Sequence, residues 1–592
     1  MRFKIADTWA HERRALGARN QDKGYGVNNR FSTQSASFYK RDKITKPEPK
    51  AAGRWRQLAV GGVLVALSAC GGGEPELTQG SIGYVSEYLG AVVADEPRAA
   101  LVGRDILSSG GSAADAATAM YFTLAVTMPS RAGIGGGGMC LAFDAQSAKT
   151  QALDFTAPAP KTIHTNADRP SAVPGNPRGF FALQARFGVL DWRVLVAPGE
   201  KLAQFGHPAS RAFSRDLQAI GPALLADEGA RAMFAGPGGR AVAKEGDKLA
   251  QRDLAATLGM LRGRGVGPFY AGPFARNFVE NVNAAGGSLT VEDLRGFTPK
   301  WRETVRVEVG NEVAHFAPPP AAASAQAAIM LAMLEKAGNF DGMDEGERAH
   351  MLAETAVHTF ADRETWLSAD GRGTKDANAL VTENRIETLV RGLRFETRTD
   401  PNRFVPRPQN RHETAATTSF AAVDNTGNAV VCSVTMNFSF GTGRVAQGSG
   451  VLLAAAPGTG GRGPTGLAPM LMVNEHSKEF RMAAVAGGGV AAPSALAGVV
   501  ARITQLGETA KDAVSAPRVH NGGDPDVTYI EPGFDANARG YLTALGHRIA
   551  ETPVLGSVSV LYCPYGLPTS PATCQMVADP RGAGLAAGSM IK

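Results

Sequence analysis

The stretch from Thr417 to Gly450 constrains this chain more than any other, because it reads as two strands joined by a turn. Thr417, Ser419, Ala421 and Val423 fall on one face of a period-two strand. Asp424-Asn425-Thr426-Gly427 has turn composition, with a glycine able to take positive φ. Val430 to Met436 is a second β-rich run. The hairpin predicted here leaves Thr417 and Thr418 at a strand end. A threonine becomes a good nucleophile once its own α-amino group is free.

These residues resemble the self-cleavage segment of γ-glutamyltransferases. In that family a Thr-Thr pair opens the small subunit. A short strand, an Asp-x-x-Gly-Asn turn, a strand ending in Thr-x-Asn and a Phe-Gly-Thr-Gly run follow it. Here these are Thr417-Thr418, Asp424 to Asn428, Thr435 to Asn437 and Phe440 to Gly443. The resemblance implies a cut between Ala416 and Thr417, with Thr417 as nucleophile. Thr418 is the rival, because sequence alone does not choose between adjacent threonines; the spacing back from Asp424 and Gly427 favours Thr417.

Other segments resemble the same family in order, from about residue 80 to the C-terminus. Glu96 to Ser109 and a helix capped by Ser112, with Asp115 completing a capping box, lead into Gly135 to Gly138 and the strand Met139 to Phe143. Four glycines let backbone approach something closely. Val173-Pro174-Gly175, the Pro318 to Pro320 run with a helix Ala325 to Ala337, and a helix Arg348 to Leu367 match further on. Asn378 to Ala416 is polar and proline-bearing and reads as an exposed linker ahead of the cut. Beyond the hairpin, strands are expected at Val451–Ala455, Met470–Asn474 and Arg481–Val485, and a helix at Pro493–Leu506. Gly487 to Gly489 precede that helix, where unpaired backbone N–H groups can hold a developing oxyanion. The resemblance assigns that role to Gly488 and Gly489.

The implied fold is α+β, a four-layer αββα sandwich of the N-terminal-nucleophile (Ntn) hydrolase type. Residues 81–416 would form the large subunit and 417–592 the small subunit of that one domain. The freed Thr417 amine, with a pKa of about 7.7–8.0, would take the proton from its own hydroxyl. The acyl group of a small γ-glutamyl amide would then pass through Thr417 to water or an amine. Thr435 and Asn437 match positions that hydrogen-bond the nucleophile and the substrate. No cofactor is implied. With no Cys-x-x-Cys pair and no His-x-x-x-His on a helix, no metal site is expected.

Charge and address come from the N-terminal region. Residues 1–50 hold 12 Lys or Arg against 5 Asp or Glu; the remainder, with 49 and 50, is close to neutral, which argues against a nucleic-acid footprint. Residues 1–53 read as a disordered basic extension. Residues 54–70 read as a signal peptide: Arg54-Trp55-Arg56, an apolar run Leu58 to Leu67, then Leu67-Ser68-Ala69-Cys70-Gly71. That ending resembles the lipobox of bacterial lipoproteins, in which Cys70 carries the lipid. Residues 71–80 would be a linker. The expectation is a membrane-anchored lipoprotein in a periplasmic or cell-surface space, where disulfides form. Cys140 and Cys432 are expected as buried thiols, and Cys563 with Cys574 as a possible bridge across a hairpin.

The donor pocket departs from the family. Where the family has Asp-Phe-Arg, this chain has Asp154-Phe155-Thr156, so the cation for the donor carboxylate is missing. Where the family has an acid for the donor amine, it has Ala454 to Thr459. Thr465-Gly466 replaces a Ser-Ser pair, and the short intervening loop predicts no covering lid. Arg131, Arg444 and Arg462 are the replacement cations considered. Two alternatives therefore stand beside the leading reading: an Ntn amidase or acylase with a less charged donor, and a surface lipoprotein that only binds. The intact Thr417, Thr435, Asn437 and Gly488-Gly489 argue against the last.

Overall fold

The computed structural model describes residues 88–368, 371–408, 416–458 and 462–590. The predicted extension, signal peptide, Cys70 and linker lie outside the described residues, as does Thr459.

Two antiparallel sheets face each other. The strands of the first are β1 (Tyr88–Ala94), β2 (Gly137–Asp144), β3 (Lys149–Asp154), β4 (Lys300–Arg302), β7 (Thr417–Asp424), β8 (Ala429–Thr435) and β13 (Leu585–Met590). Their order is β13-β1-β7-β8-β2-β3-β4. The second sheet contains β5 (Val305–Val309), β6 (Glu312–Phe316), β9 (Ala468–Asn474), β10 (Glu479–Gly487), β11 (Ser557–Leu567) and β12 (Gln575–Val577), in the order β12-β11-β10-β9-β6-β5. The hairpin β7–β8 thus sits at the centre of the first sheet, with Thr417 opposite Thr435.

Strand alternation decides which side chain enters which layer. Ala421, Val423 and Val431 point between the sheets, against Leu471, Val473 and Val485. Phe420, Ala422, Val430 and Val434 point the other way, under helices α1 (Pro97–Ser108) and α2 (Ala113–Thr127). Helices α3 (Ala322–Ala337) and α5 (Ala492–Leu506) cover the far face of the second sheet, and α4 (Glu345–Arg363) packs on α3. The result is the four-layer αββα sandwich expected. Helix α2 begins with the predicted capping box between Ser112 and Asp115. Its Ala113 N–H also donates to the Asp424 carboxylate at 3.1 Å, which anchors the hairpin turn to a helix start.

Three expectations need correction. Cys140 and Cys432 are not free thiols but a disulfide, because β8 pairs with β2 in the register that sets them directly opposite each other. The Asn378–Ala416 segment is not a bare linker. It carries a helix, Glu383–Gly392, and buries Leu393 and Thr399. The Val451–Ala455 strand shortens to Val451–Leu452, because Ala455 N–H turns to the Met436 carbonyl and Ala456 N–H to that of Pro170. The Cys563–Cys574 bridge is present.

Candidate active site

Thr417 and Thr418 are neighbours in sequence and opposites in space. Thr417 shares the face of Ala421 and Val423 and enters the gap between the sheets. A methyl group at Gly466 would lie 3.3 Å from its Oγ1, so the glycine leaves that hydroxyl its room. Thr418 faces the helices and is fully buried, with its hydroxyl donating to Asp95 at 3.0 Å. The same Asp95 oxygen accepts the Ser419 N–H at 3.0 Å. Burial raises the Asp95 pKa, against the opposing pull of the Ser419 N–H and Arg131.

The Ala416 carbonyl, one bond ahead of Thr417, accepts a hydrogen bond from Thr435 Oγ1 at 3.0 Å. Thr435 Oγ1 in turn accepts the Asn437 N–H at 3.0 Å. Asn437 holds a left-handed φ of 60°. Its Nδ2 donates to the carbonyls of Ala157 and Ala455 at 3.2 and 3.0 Å, while its buried Oδ1 has no partner. An unpaired buried amide oxygen is costly and suits a site that receives a donor from outside the chain.

The Gly135–Gly138 run makes the close backbone approach expected of it. A methyl at Gly136 would meet the Thr435 carbonyl at 2.4 Å, and one at Gly138 the Ser433 carbonyl at 2.4 Å. The run therefore lets the chain close against the strand that carries Thr435. Gly488 and Gly489 have φ of 110° and 69° and stand between β10 and α5. A methyl at Gly488 would come within 2.5 Å of the Gly556 backbone. At Gly487, the last residue of β10, a methyl would lie 3.9 Å from the Thr417 carbonyl oxygen.

The three candidate cations separate. Arg131 is gripped by Asp216, Nε at 2.8 Å and Nη2 at 2.6 Å, and Ser130 donates to the same carboxylate. Its remaining Nη1 lies 3.5 Å from the Thr417 carbonyl oxygen. Burial works against its charge, and Asp216 more than offsets this. Arg444 pairs with Asp168 at 2.8 Å. Arg462 is exposed, with its guanidinium 5.5 Å from the Phe438 ring, and no acid among the described residues pairs with it. Thr156, at the position of the family's arginine, donates to Asp154 at 2.7 Å, and Asp154 pairs with Arg302.

Sequence reasoning missed Asp95, Asp216 and the Asp424–Ala113 contact. Each acts across hundreds of residues or from a separate helix, and no local pattern marks it. It also missed a buried grouping of His350, Glu354 and His547, whose ligand-type atoms lie within 4.8 Å of one another. Their hydrogen bonds are internal: His350 Nδ1 to His547 Nε2 at 2.8 Å, His350 Nε2 to the Arg394 carbonyl at 2.7 Å, and Glu354 to the Thr399 N–H at 2.7 Å. The grouping ties Arg394 and Thr399 to α4.

Two facing antiparallel sheets, each backed by helices, form the four-layer sandwich of the N-terminal-nucleophile hydrolase class. A cephalosporin acylase from Bacillus halodurans shows the same fold, at a TM-score of 0.72 and 21% identity over 84% of this chain and 96% of its own. The family profile of gamma-glutamyltranspeptidase matches residues 99–589, and the chain belongs to that family. Curated relatives include the glutathione hydrolase proenzymes of Escherichia coli and Pseudomonas aeruginosa. The first is 29% identical over 81% of this chain and 89% of its own. The second is 32% identical over 62% and 67%.

Proposed function

We propose that the chain is a self-cleaving γ-glutamyltransferase or glutathione hydrolase-like enzyme that works through Thr417. One observation carries this reading: the Thr435 hydroxyl sits on the Ala416 carbonyl while Thr417 Oγ1, unpaired among the described residues, faces Gly466 in the gap between the sheets. In the cut, Thr417 Oγ1 attacks the Ala416 carbon. Thr435 Oγ1–H stabilises the oxyanion; its collapse breaks the Ala416 C–Thr417 N bond and frees the Thr417 amine, and hydrolysis of the resulting ester then releases the Ala416 carboxylate and restores the Thr417 hydroxyl. Residues 81–416 and 417–592 become the two subunits. Thr435 is then released to hydrogen-bond the new terminus. In turnover the free amine takes the Thr417 hydroxyl proton as the hydroxyl attacks the donor's acyl carbon. Gly488 and Gly489 offer backbone N–H groups to the developing charge. The acyl-enzyme then passes to water or an amine.

A second reading, an Ntn amidase or acylase with a less charged donor, is favoured by the lining. Ala454 and Ala455 are buried where the family has polar groups, Thr156 is spent on Asp154, and Arg131 and Arg444 are spent on acids. Turnover of γ-glutamyl-p-nitroanilide supports the first reading. Turnover only of uncharged acyl p-nitroanilides overturns it in favour of the second.

We further propose that Cys70 carries a lipid and holds the enzyme to a membrane facing an oxidising space, a reading supported by the lipobox-like ending and by two disulfides in the body. Full-length protein is expected in the detergent phase and a Cys70→Ser variant in the aqueous phase; equal partitioning refutes the anchor.

A further inference from the structure

We infer that the Cys140–Cys432 disulfide joins the large and small subunits covalently after the cut. The inference rests on the proposed cleavage between Ala416 and Thr417, which assigns Cys140 to one product and Cys432 to the other. The two cysteines are direct cross-strand partners on β2 and β8. The second bridge, Cys563–Cys574, spans 11 residues and lies wholly within the small subunit, so it joins nothing across the cut.

The position of the bond matters as much as its partners. Both cysteines are fully buried and belong to the apolar layer under α1 and α2. Thiol–disulfide exchange needs an accessible sulfur. A reductant therefore reaches this bond only when the sandwich opens, and an oxidant reaches the thiols only before it closes. The bond accordingly forms during folding of the precursor and precedes the cut. Its formation balances simply: the two thiols lose two protons and two electrons to a disulfide oxidant of the oxidising compartment, which is reduced to two thiols.

The tether acts next to the nucleophile's support. Cys432 lies three residues before Thr435 on β8, and β8 separates β2 of the large subunit from β7 of the small one. Without a covalent link, the mature enzyme would hold together by sheet pairing and packing, and its stability would depend on protomer concentration. With the link, mature protein unfolds and refolds as one tethered molecule, and dilution does not part the subunits.

The test uses full-length protein secreted into an oxidising compartment, denatured in the presence of N-ethylmaleimide, and run on gels with and without reductant. One species without reductant, splitting into two with it, is the expected result. Two species without reductant overturn the tether and leave the cleavage reading standing. One species under both conditions overturns the cleavage and the tether together. A Cys140→Ala/Cys432→Ala double variant provides the matching control. It is expected to show two fragments without reductant, with the smaller still beginning at Thr417; a species held together without reductant in that variant assigns the link elsewhere and refutes the inference. Should the double variant fail to fold, non-reducing peptide mapping of the Thr417→Ala protein reads the bond directly. A Cys140–Cys432 linked peptide supports it and two separate alkylated peptides refute it.

Discussion

Removing the Thr435 hydroxyl should slow self-cleavage far more than it unsettles the fold. Thr435 Oγ1 is the side-chain donor found on the Ala416 carbonyl, at 3.0 Å, and both residues are buried at 1% and 5% exposure. Water is thus poorly placed to replace it. Loss of one oxyanion donor costs roughly 10²–10³ in rate, about 2.7–4 kcal/mol of barrier. The variant also frees the Asn437 N–H, which donates to Thr435 Oγ1 at 3.0 Å, at a stability cost of about 1–3 kcal/mol. Thr435→Val keeps the shape and removes the hydroxyl, whereas Thr435→Ser keeps the hydroxyl. The assay follows the appearance of the small fragment with time on reducing gels, beside a thermal melt of each variant. Thr435→Val should cut about 10²–10³ more slowly than the parent, and Thr435→Ser should stay close to it. Parent-rate cutting by a folded Thr435→Val protein would refute the role given to this hydroxyl.

Further outcomes follow from the same geometry. Thr418→Ala removes a hydroxyl donor from the buried Asp95 and should cost about 1–3 kcal/mol in a denaturation curve while leaving the cut at Thr417; loss of cutting in a folded Thr418→Ala protein would contradict the assignment. Gly136→Ala pushes a methyl within 2.4 Å of the Thr435 carbonyl and should destabilise by about 1–3 kcal/mol and impair maturation, measured by melting and by fragment yield. Burial holds His547 down at about 3 and His358 at about 4, both below the ordinary 6.5. The unfolded chain therefore takes these protons first. The stability they permit is full above about pH 6.5 and is lost as pH falls towards 4, at up to about 1.4 kcal/mol per pH unit for each. Raised carboxylates such as Asp95 and Glu354 oppose this trend. Melting temperature should fall from about pH 7 to about pH 5, less steeply in His547→Asn; equal slopes would remove the histidine from the account.

Much of this was legible in the sequence because it is local. The β7–β8 hairpin follows from period-two alternation around Asp424 to Gly427, and Gly427 does take a positive φ of 87°. The Ser112–Asp115 box and the Gly135–Gly138 approach likewise use neighbouring residues. What escaped was decided by register and topology. Cys140 and Cys432 are 292 residues apart, and only the pairing of β2 with β8 makes them partners. The opposite orientations of Thr417 and Thr418 follow from alternation, but which face looks between the sheets needs the second sheet in place. The fates of Arg131 and Arg444 depend on Asp216 and Asp168, which stand on separate segments. The polar composition of 378–416 suggested solvent, yet Thr399 docks on Glu354 because a buried carboxylate needs its donors.

Intact mass and N-terminal sequencing of the purified protein, beside Thr417→Ala, tests the central claim most directly. Two chains, the smaller beginning at Thr417, with a single uncut chain in the variant, is the predicted result. A small chain beginning at Thr418, or one uncut chain in both samples, would contradict it.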